Sequence, residues 1–184
     1  MNLSISNITW LPKDRNKIYR FLSKEKIKGI EIVPMFLLHD IKNIFELNKK
    51  ETTKHLKELK KHNLKIVSMQ SLFFDAKDCY LFQSTKQRSN FVNHLTQIIR
   101  LAKKLGIKNL VFGSPKNRII PSDMKYIEAE KIAIKVFKKI GKIAKLNNIY
   151  LSIEPNPKEY GTNFLNTIHQ TYDFVKKVKS KNIK

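Results

Sequence analysis

Short segments in which apolar and polar residues alternate with a period of two are separated by longer segments with helical periodicity. The segments that predict strands are residues 3–8, 29–33, 65–70, 109–112 and 150–154. Helices are predicted over residues 17–23, 52–62, 89–105, 126–146 and 166–178, with a short helical piece in 41–47. In the clearest helix Leu95, Ile98, Ala102 and Leu105 lie on one face, and Gly106 ends it. This alternation predicts parallel strands joined by right-handed crossovers.

The predicted strands have one bulky apolar face and one face that is polar or small. The residues on the polar face are Ser4, Ser6, Glu31, Ser68, Gln70, Ser152 and Glu154. A doubly wound sheet covered by helices on both sides would be apolar on both faces. It would also usually carry a glycine-rich turn after its first strand, whereas residues 7–12 contain no glycine. The pattern therefore favours a TIM (β/α)8-type barrel, in which the polar face lines the interior and the apolar face meets the helices.

The length of the chain accommodates only part of such a barrel. A (β/α)8 barrel takes about 250 residues, and this chain has 184. The strands begin near residues 3, 29, 65, 109 and 150, so another is due near Ile183. We expect a single α/β domain over residues 1–184, an incomplete barrel of about five parallel β/α units truncated before strand six. Its open edges would favour self-association or pairing with a complementing chain.

Composition agrees with a folded domain in the cytoplasm. The hydrophobic fraction of 41% and the aromatic fraction of 10% are typical of globular proteins. No run of eighteen apolar residues predicts a transmembrane helix, and the first residues lack the regions of a signal peptide. The single cysteine, Cys79, excludes an internal disulfide framework. We therefore expect a cytoplasmic protein without a membrane partner.

The formal net charge of +22 is of the kind that attracts nucleic acids. However, nearly all the basic residues are lysines, and most of them lie on the polar faces of predicted helices, as do Lys131, Lys135 and Lys142. We interpret the charge as a solvated basic surface and do not expect nucleic acid as a partner.

One carboxylate lies where enzymes of this class place their chemistry. Glu154 ends the last predicted strand and enters a loop stiffened by Pro155 and Pro157. The C-terminal ends of barrel strands supply the metal ligands and general bases of such enzymes. The alternative is an inward-facing acid that local backbone amides satisfy.

Other polar residues are expected near the same mouth of the barrel. Glu31 either contacts a substrate or pairs with a basic residue of the interior. Gln70 either bonds a substrate or is satisfied by backbone groups. Asn156 and Glu159 lie in the loop after the fifth strand, where the hydroxyl groups of a substrate would be met.

The loop after the fourth strand carries positive charge. Gly113 allows the backbone to approach a ligand closely, and Lys116 and Arg118 follow it. Their charges suit a phosphate or a carboxylate. The alternative is an ordinary basic loop.

Three segments, residues 29–34, 112–118 and 153–161, together resemble the sugar phosphate isomerase/epimerase family. That family belongs to the xylose-isomerase-like TIM barrels, which also contain the apurinic-site endonucleases. The resemblance runs the length of the chain and covers about five-eighths of the family's eight-unit domain. It implies a divalent metal such as Mn²⁺ or Mg²⁺, bound by a Glu, an Asp, a His and a Glu after strands five to eight. Glu154 matches the first ligand, and the remaining ligands are not in this chain.

The resemblance implies an isomerase or epimerase that acts on a small-molecule sugar or sugar phosphate by proton transfer next to a carbonyl. Glu154 would be one of two bases, and without its partner the chain alone would be weakly active or inactive. One alternative is an apurinic-site endonuclease-like repair enzyme. That branch needs His ligands after strands three and four, where this chain has Gln70 and Gly113. The other alternative is an inactive truncated barrel that needs a partner chain.

Overall fold

Five parallel strands form one sheet in the order of the chain. The computed structural model describes residues 3–184. The strands are β1 (Ser4–Ser6), β2 (Gly29–Ile32), β3 (Lys65–Met69), β4 (Asn109–Phe112) and β5 (Tyr150–Ile153). Each strand pairs in parallel with the next. The predicted parallel and sequential arrangement of a partial TIM barrel is therefore confirmed.

Five longer helices overlap the predicted helical segments, whereas the short helix Pro34–Leu37 was not predicted, and the predicted piece 41–47 contains only the 3₁₀ turn Ile44–Glu46. Within the described residues the α-helices are α1 (Arg15–Lys24), α2 (Pro34–Leu37), α3 (Lys49–Lys61), α4 (Thr85–Lys104), α5 (Tyr126–Leu146) and α6 (Ile168–Val178). Short 3₁₀ turns include Ile44–Glu46, Pro115–Arg118 and Lys158–Tyr160. No helix in this part of the chain combines the length and the apolar character needed to cross a bilayer.

Capping boxes extend α3 and α4 beyond their predicted starts. The side chain of Asn48 accepts from the backbone N–H of Glu51, whose carboxylate accepts in return from the N–H of Asn48. Ser84 and Gln87 make the same reciprocal pair at α4. These caps satisfy N–H groups of the first turn that have no partner within the helix. The helices therefore begin at residues 49 and 85, ahead of the apolar stripes from which residues 52 and 89 were predicted.

The two faces of the sheet differ as the alternation predicted. Ile30 and Leu110 are completely buried on the side that packs against the helices. On the opposite face the hydroxyl of Ser68 donates to the carboxylate of Glu31 at 2.7 Å. These polar contacts place a hydrophilic surface on the side that forms the interior of a barrel.

The pairing of β2 with β3 contains an irregularity that the alternation did not predict. Ile30 pairs with Ile66, but the next pair joins Glu31 to Ser68, so that Val67 is an extra residue on β3. A β-bulge of this kind bends the strand and leaves the extra residue unpaired. The predicted alternation of β3 would turn the apolar Val67 toward the helices, but the bulge leaves it 47% exposed, so the prediction is wrong at this residue.

A series of aromatic rings holds the helices against the middle of the sheet. The ring of Phe73 lies 4.6 Å from that of Phe91, which lies 5.7 Å from Phe112. Phe112 in turn lies 5.4 Å from Phe137, and Phe137 lies 5.5 Å from Phe174. Such pairs contribute about 0.5–1.5 kcal/mol beyond the burial of their area. They connect α4, β4, α5 and α6 and fix the end of β4, where the candidate site begins.

The last residues lie along the free side of β5. The N–H of Leu151 donates to the carbonyl of Asn182 at 2.9 Å, and the N–H of Lys184 donates to the carbonyl of Leu151 at 2.9 Å. Leu151 forms a parallel bridge with Ile183, the residue near which the spacing of the strands places another strand. Gly141 of α5 makes this approach possible, since a Cβ there would lie 2.9 Å from the Cβ of Ser180.

We predict that Gly141→Ala loosens the C-terminal segment, although Ala favours helices. The added Cβ overpacks the contact with Ser180, and overpacking costs about 1–3 kcal/mol. The N–H of Leu151, which bonds to Asn182, should then exchange faster with solvent deuterium. Lys142→Ala, on the exposed neighbouring residue, is the control. Unchanged exchange at Leu151 in Gly141→Ala would contradict the prediction.

A partly buried histidine on α4 should make stability depend on pH. The Nε2 of His94 lies 2.7 Å from the carbonyl of Leu72, and its ring packs 4.8 Å from that of Phe73. Burial lowers the pKa of His94, and the bond to Leu72 opposes the shift in part. The unfolded chain therefore binds a proton near pH 6.5 before the fold does, which stabilises the unfolded state as the pH falls.

We predict that the free energy of unfolding decreases between about pH 7 and pH 5 and that His94→Gln flattens this decrease. His55, whose pKa burial also lowers, should account for part of the remainder. The measurement is urea denaturation at a series of pH values, with the exposed His169→Gln as the control. A slope that stays the same in His94→Gln would show that this histidine does not cause it.

Candidate active site

Glu154 follows β5 directly, at the C-terminal end of the strand. Its N–H donates to the carbonyl of Phe112 at 3.0 Å, which continues the sheet by one residue. The register pairs Phe112 with Ile153, so Glu154 lies beside Gly113. Its side chain is exposed and lies on the polar face of the sheet. This is the position predicted from the sequence, and the role of the residue stays a prediction.

The glycine after β4 makes room for this carboxylate. A Cβ on Gly113 would collide with the Oε2 atom of Glu154 and would lie 3.3 Å from the Oδ1 atom of Asn156. Gly113 itself is buried. A side chain at residue 113 would therefore displace the carboxylate.

Asn156 connects the carboxylate to the surrounding loops. Its amide Nδ2 donates to the Oε2 of Glu154 at 3.3 Å, and its Oδ1 accepts from the guanidinium of Arg118 at 2.8 Å. Its backbone N–H donates to Leu165, and its carbonyl accepts from the side chain of Asn166 at 2.8 Å. Asn156 is 4% exposed. The side chain that was predicted to meet a substrate thus makes its hydrogen bonds within the protein.

Arg118 lies inside the protein, beneath the same loop. Its side chain has no exposed surface, and its Nη2 also donates to the backbone carbonyl of Glu154 at 2.8 Å. The guanidinium carbon lies 5.6 Å from the centre of the Phe112 ring. Burial lowers the pKa of Arg118 to about 10, while the charge of Glu154 opposes the shift. The positive charge of Arg118, which was expected at the mouth of the barrel, is therefore buried inside the protein.

The other predicted residues occupy three places. Lys116, on the same 3₁₀ turn as Arg118, is exposed, and Glu159 is exposed on the turn after β5. Glu31 bonds to Ser68, as described above, and Gln70 donates to the hydroxyl of Ser6. The structure therefore brings Glu154, Asn156 and Arg118 into direct contact. Glu31 and Gln70 lie on the polar face of β1 to β3, and their contacts are with serines.

Asparagines that sequence reasoning passed over tie the two loops together. The side chain of Asn163 accepts from the N–H of Ile120 at 2.7 Å and donates to its carbonyl at 2.9 Å. Asn166 donates to the carbonyl of Thr162 at 2.9 Å as well as to that of Asn156. An amide can satisfy both backbone groups of a neighbouring loop. Both asparagines lie in the loop between β5 and α6, where no periodicity distinguishes them from the many other asparagines of the chain.

Of the predicted site residues, Glu154 is suited to serve as one ligand of a metal ion. Glu154 is exposed, and the hydrogen bond from Asn156 to its carboxylate is long, so oxygen lone pairs remain for a cation. Within residues 3–184, however, no three His, Cys, Asp or Glu side chains lie close enough to hold a metal together. Divalent cations normally need several oxygen ligands. The described residues thus offer one carboxylate and no cluster of three such ligands.

Comparison with known proteins agrees with the fold. The family model for the xylose isomerase-like TIM barrel matches residues 20–184. No curated protein sequence matches the chain significantly.

Solved structures of the same fold are longer than this chain. A D-psicose 3-epimerase crystallised with D-fructose superimposes with a TM-score of 0.75 at 18% identity, over 100% of this chain and 62% of that one. An IOLI protein with a bound zinc atom superimposes with a TM-score of 0.68 at 18% identity, over 100% of this chain and 61% of that one. A family 2 AP endonuclease from Brucella melitensis superimposes with a TM-score of 0.67 at 14% identity, over 100% of this chain and 67% of that one. The chain thus spans about two thirds or less of these structures, and the likeness shows the fold alone.

We predict that the 184-residue chain binds Mn²⁺ more weakly than about 10⁻⁴ M, because one carboxylate does not make a dedicated site. Isothermal titration calorimetry measures the affinity, and Glu128→Ala, on an exposed helical carboxylate, is the matched control for Glu154→Ala. A stoichiometric site of micromolar affinity that Glu154→Ala removes would show that this ligand set is wrong.

Proposed function

The chain belongs to the xylose isomerase-like TIM barrel family, and from this premise we propose that it contributes the proton-transfer base of a divalent-metal-dependent isomerase or epimerase. The substrate class is a sugar or a sugar phosphate. The observation that carries the proposal is the carboxylate of Glu154, which lies exposed at the end of β5 beside a buried glycine. The sugar epimerases among the structural relatives support the substrate class.

The chemistry proposed for Glu154 is proton transfer at a carbon next to a carbonyl. The carboxylate accepts the proton of the carbon, and the electron pair of the broken C–H bond moves toward the carbonyl oxygen. Return of a proton to the other face of the carbon inverts its configuration, and this needs a second acid outside residues 3–184. A divalent metal bound by Glu154 and by ligands outside this sequence would polarise the carbonyl oxygen.

Residues around the same mouth would hold the substrate. Lys116 is exposed on the turn that follows Gly113, and we assign it to a phosphate or carboxylate group of the substrate. Glu31 and Gln70 lie on the polar face and would bond hydroxyl groups, in exchange for their contacts with serines. Glu159 is exposed on the loop after β5 and is assigned to the same role.

The second candidate is an endonuclease that acts at apurinic sites. The net charge of +22 and the likeness to a family 2 AP endonuclease favour it. The site opposes it, because that branch needs a His ligand after the fourth strand. A side chain at residue 113 would collide with the carboxylate of Glu154. The sugar enzyme is therefore the better supported reading.

We predict that Glu154→Gln lowers proton exchange by more than about a thousandfold, on the order of 4 kcal/mol. The amide keeps the shape of the side chain but removes both the base and the anionic ligand. The measurement is incorporation of solvent deuterium into ketoses and ketose phosphates, with Mn²⁺, by a longer form of the chain or by the chain with a partner that supplies the remaining strands. Glu128→Gln, on the outer face of α5, should leave the rate unchanged.

The same preparation is tested for cleavage of abasic DNA. Cleavage of the DNA without exchange on any sugar would overturn the proposal in favour of the endonuclease. Exchange that survives in Glu154→Gln would remove this residue from the chemistry.

A further inference from the structure

We infer that Arg118 is a positioning residue that fixes the carboxylate of Glu154 through Asn156. This inference rests on the proposed function for its catalytic meaning, but its geometric part can be tested without any activity. Arg118 does not touch the space in front of the carboxylate, since its side chain is completely buried.

The hydrogen bonds form a closed circuit around Glu154. The Nη2 atom of Arg118 donates to the backbone carbonyl of Glu154 and to the Oδ1 atom of Asn156, both at 2.8 Å. The Nδ2 atom of Asn156 then donates to the carboxylate of the same Glu154 at 3.3 Å. One nitrogen of Arg118 thus holds the backbone of Glu154 and also the amide of Asn156, which in turn bonds the carboxylate of Glu154.

The chemistry of the guanidinium sets the direction of the amide. Arginine has only donors, so the oxygen of the Asn156 amide must face it. The amide nitrogen then faces Glu154, where it donates to the carboxylate. If the amide turned over, two oxygens would face each other at the carboxylate and two donors would meet at the guanidinium. The charge of Arg118 therefore determines which atom of Asn156 the carboxylate meets.

A contribution to the stability of the fold does not explain why an arginine is buried at residue 118. Its Nε and Nη1 atoms are buried without a hydrogen-bond partner among the described residues, and a buried donor without a partner costs about 1–3 kcal/mol. The ring of Phe112, 5.6 Å from the guanidinium carbon, offsets only part of this cost. Apolar residues often replace buried charges without loss of stability. What an apolar residue cannot do is orient the amide of Asn156.

The contact also makes the position of the carboxylate depend on the loop after β4. Arg118 ends the 3₁₀ turn Pro115–Arg118, and its backbone carbonyl accepts from the hydroxyl of Thr162 at 3.5 Å. The loop that carries Glu154 is thus joined to the loop that carries Lys116. A displacement of about 1 Å at a catalytic group costs up to a hundredfold in rate.

Two variants separate the positioning role from a general effect on folding. Asn156→Asp keeps an oxygen toward Arg118 but replaces the donor to Glu154 by a repelling carboxylate. Arg118→Met keeps an unbranched side chain but removes the donor that holds both acceptors. Asn93→Asp and Arg100→Met, two exposed positions on α4, are the matched controls.

The first measurement does not require activity. Three-bond NMR couplings of Glu154 should report one χ1 rotamer in the unchanged chain and averaged rotamers in both variants, while the controls keep the single rotamer. A single rotamer that persists in both variants would overturn the inference.

The second measurement is the rate of proton exchange in the same assay that tests the proposed function. We expect kcat to fall by about tenfold to a hundredfold in both variants with KM unchanged, because the base is misplaced while binding is not. A rise in KM for phosphorylated substrates at unchanged kcat would make Arg118 an anion contact and would also overturn the inference. If the unchanged protein exchanges no sugar proton, the proposed function fails, and the couplings alone decide the positioning role.

Discussion

Burial of one face of every strand under the helices is the constraint on which the rest of this structure depends. Apolar residues such as Leu110 and Leu151 are completely buried, so the alternate residues must point to the other side. That side holds the polar contacts of Glu31 and Ser152. Phe112, at the end of β4, packs against the rings of α4 and α5. The residues of the candidate site follow the ends of β4 and β5, so their positions depend on this packing.

The same constraint explains how much of the fold could be predicted. A long helix with a continuous apolar stripe is visible in the sequence, and α5 occupies the predicted residues 126–146. The starts of α3 and α4 were predicted late, since their caps, Asn48 and Ser84, precede the stripes. The bulge at Val67 was missed although Ile66 and Val67 are two consecutive apolar residues, which interrupt the alternation at this point. Periodicity records which residues are apolar, whereas a bulge is a property of the pairing between two strands.

The site could be predicted only where a strand determines the direction of a side chain. Glu154 follows β5, and the alternation that starts at Leu151 fixes its face. Lys116 and Arg118 lie in a turn that follows Ser114, whose φ of 41° is in the left-handed region. No period runs through such a turn, and the sequence therefore does not tell which of the two charges faces inward. The structure buries Arg118 and exposes Lys116.

Location, rather than number, decides which charges could matter for the chemistry of this protein. The chain carries a net charge of +22, but exposed lysines interact through water and salt, which screen them within about 10 Å. Arg118 has no exposed surface, so its interactions pass through the weakly polar interior and are far stronger at equal distance. The charge of Glu154, the base that we propose for the reaction, acts on the pKa of this guanidinium. The inferred orientation of that carboxylate therefore rests on the contacts of one buried guanidinium and not on the number of basic residues.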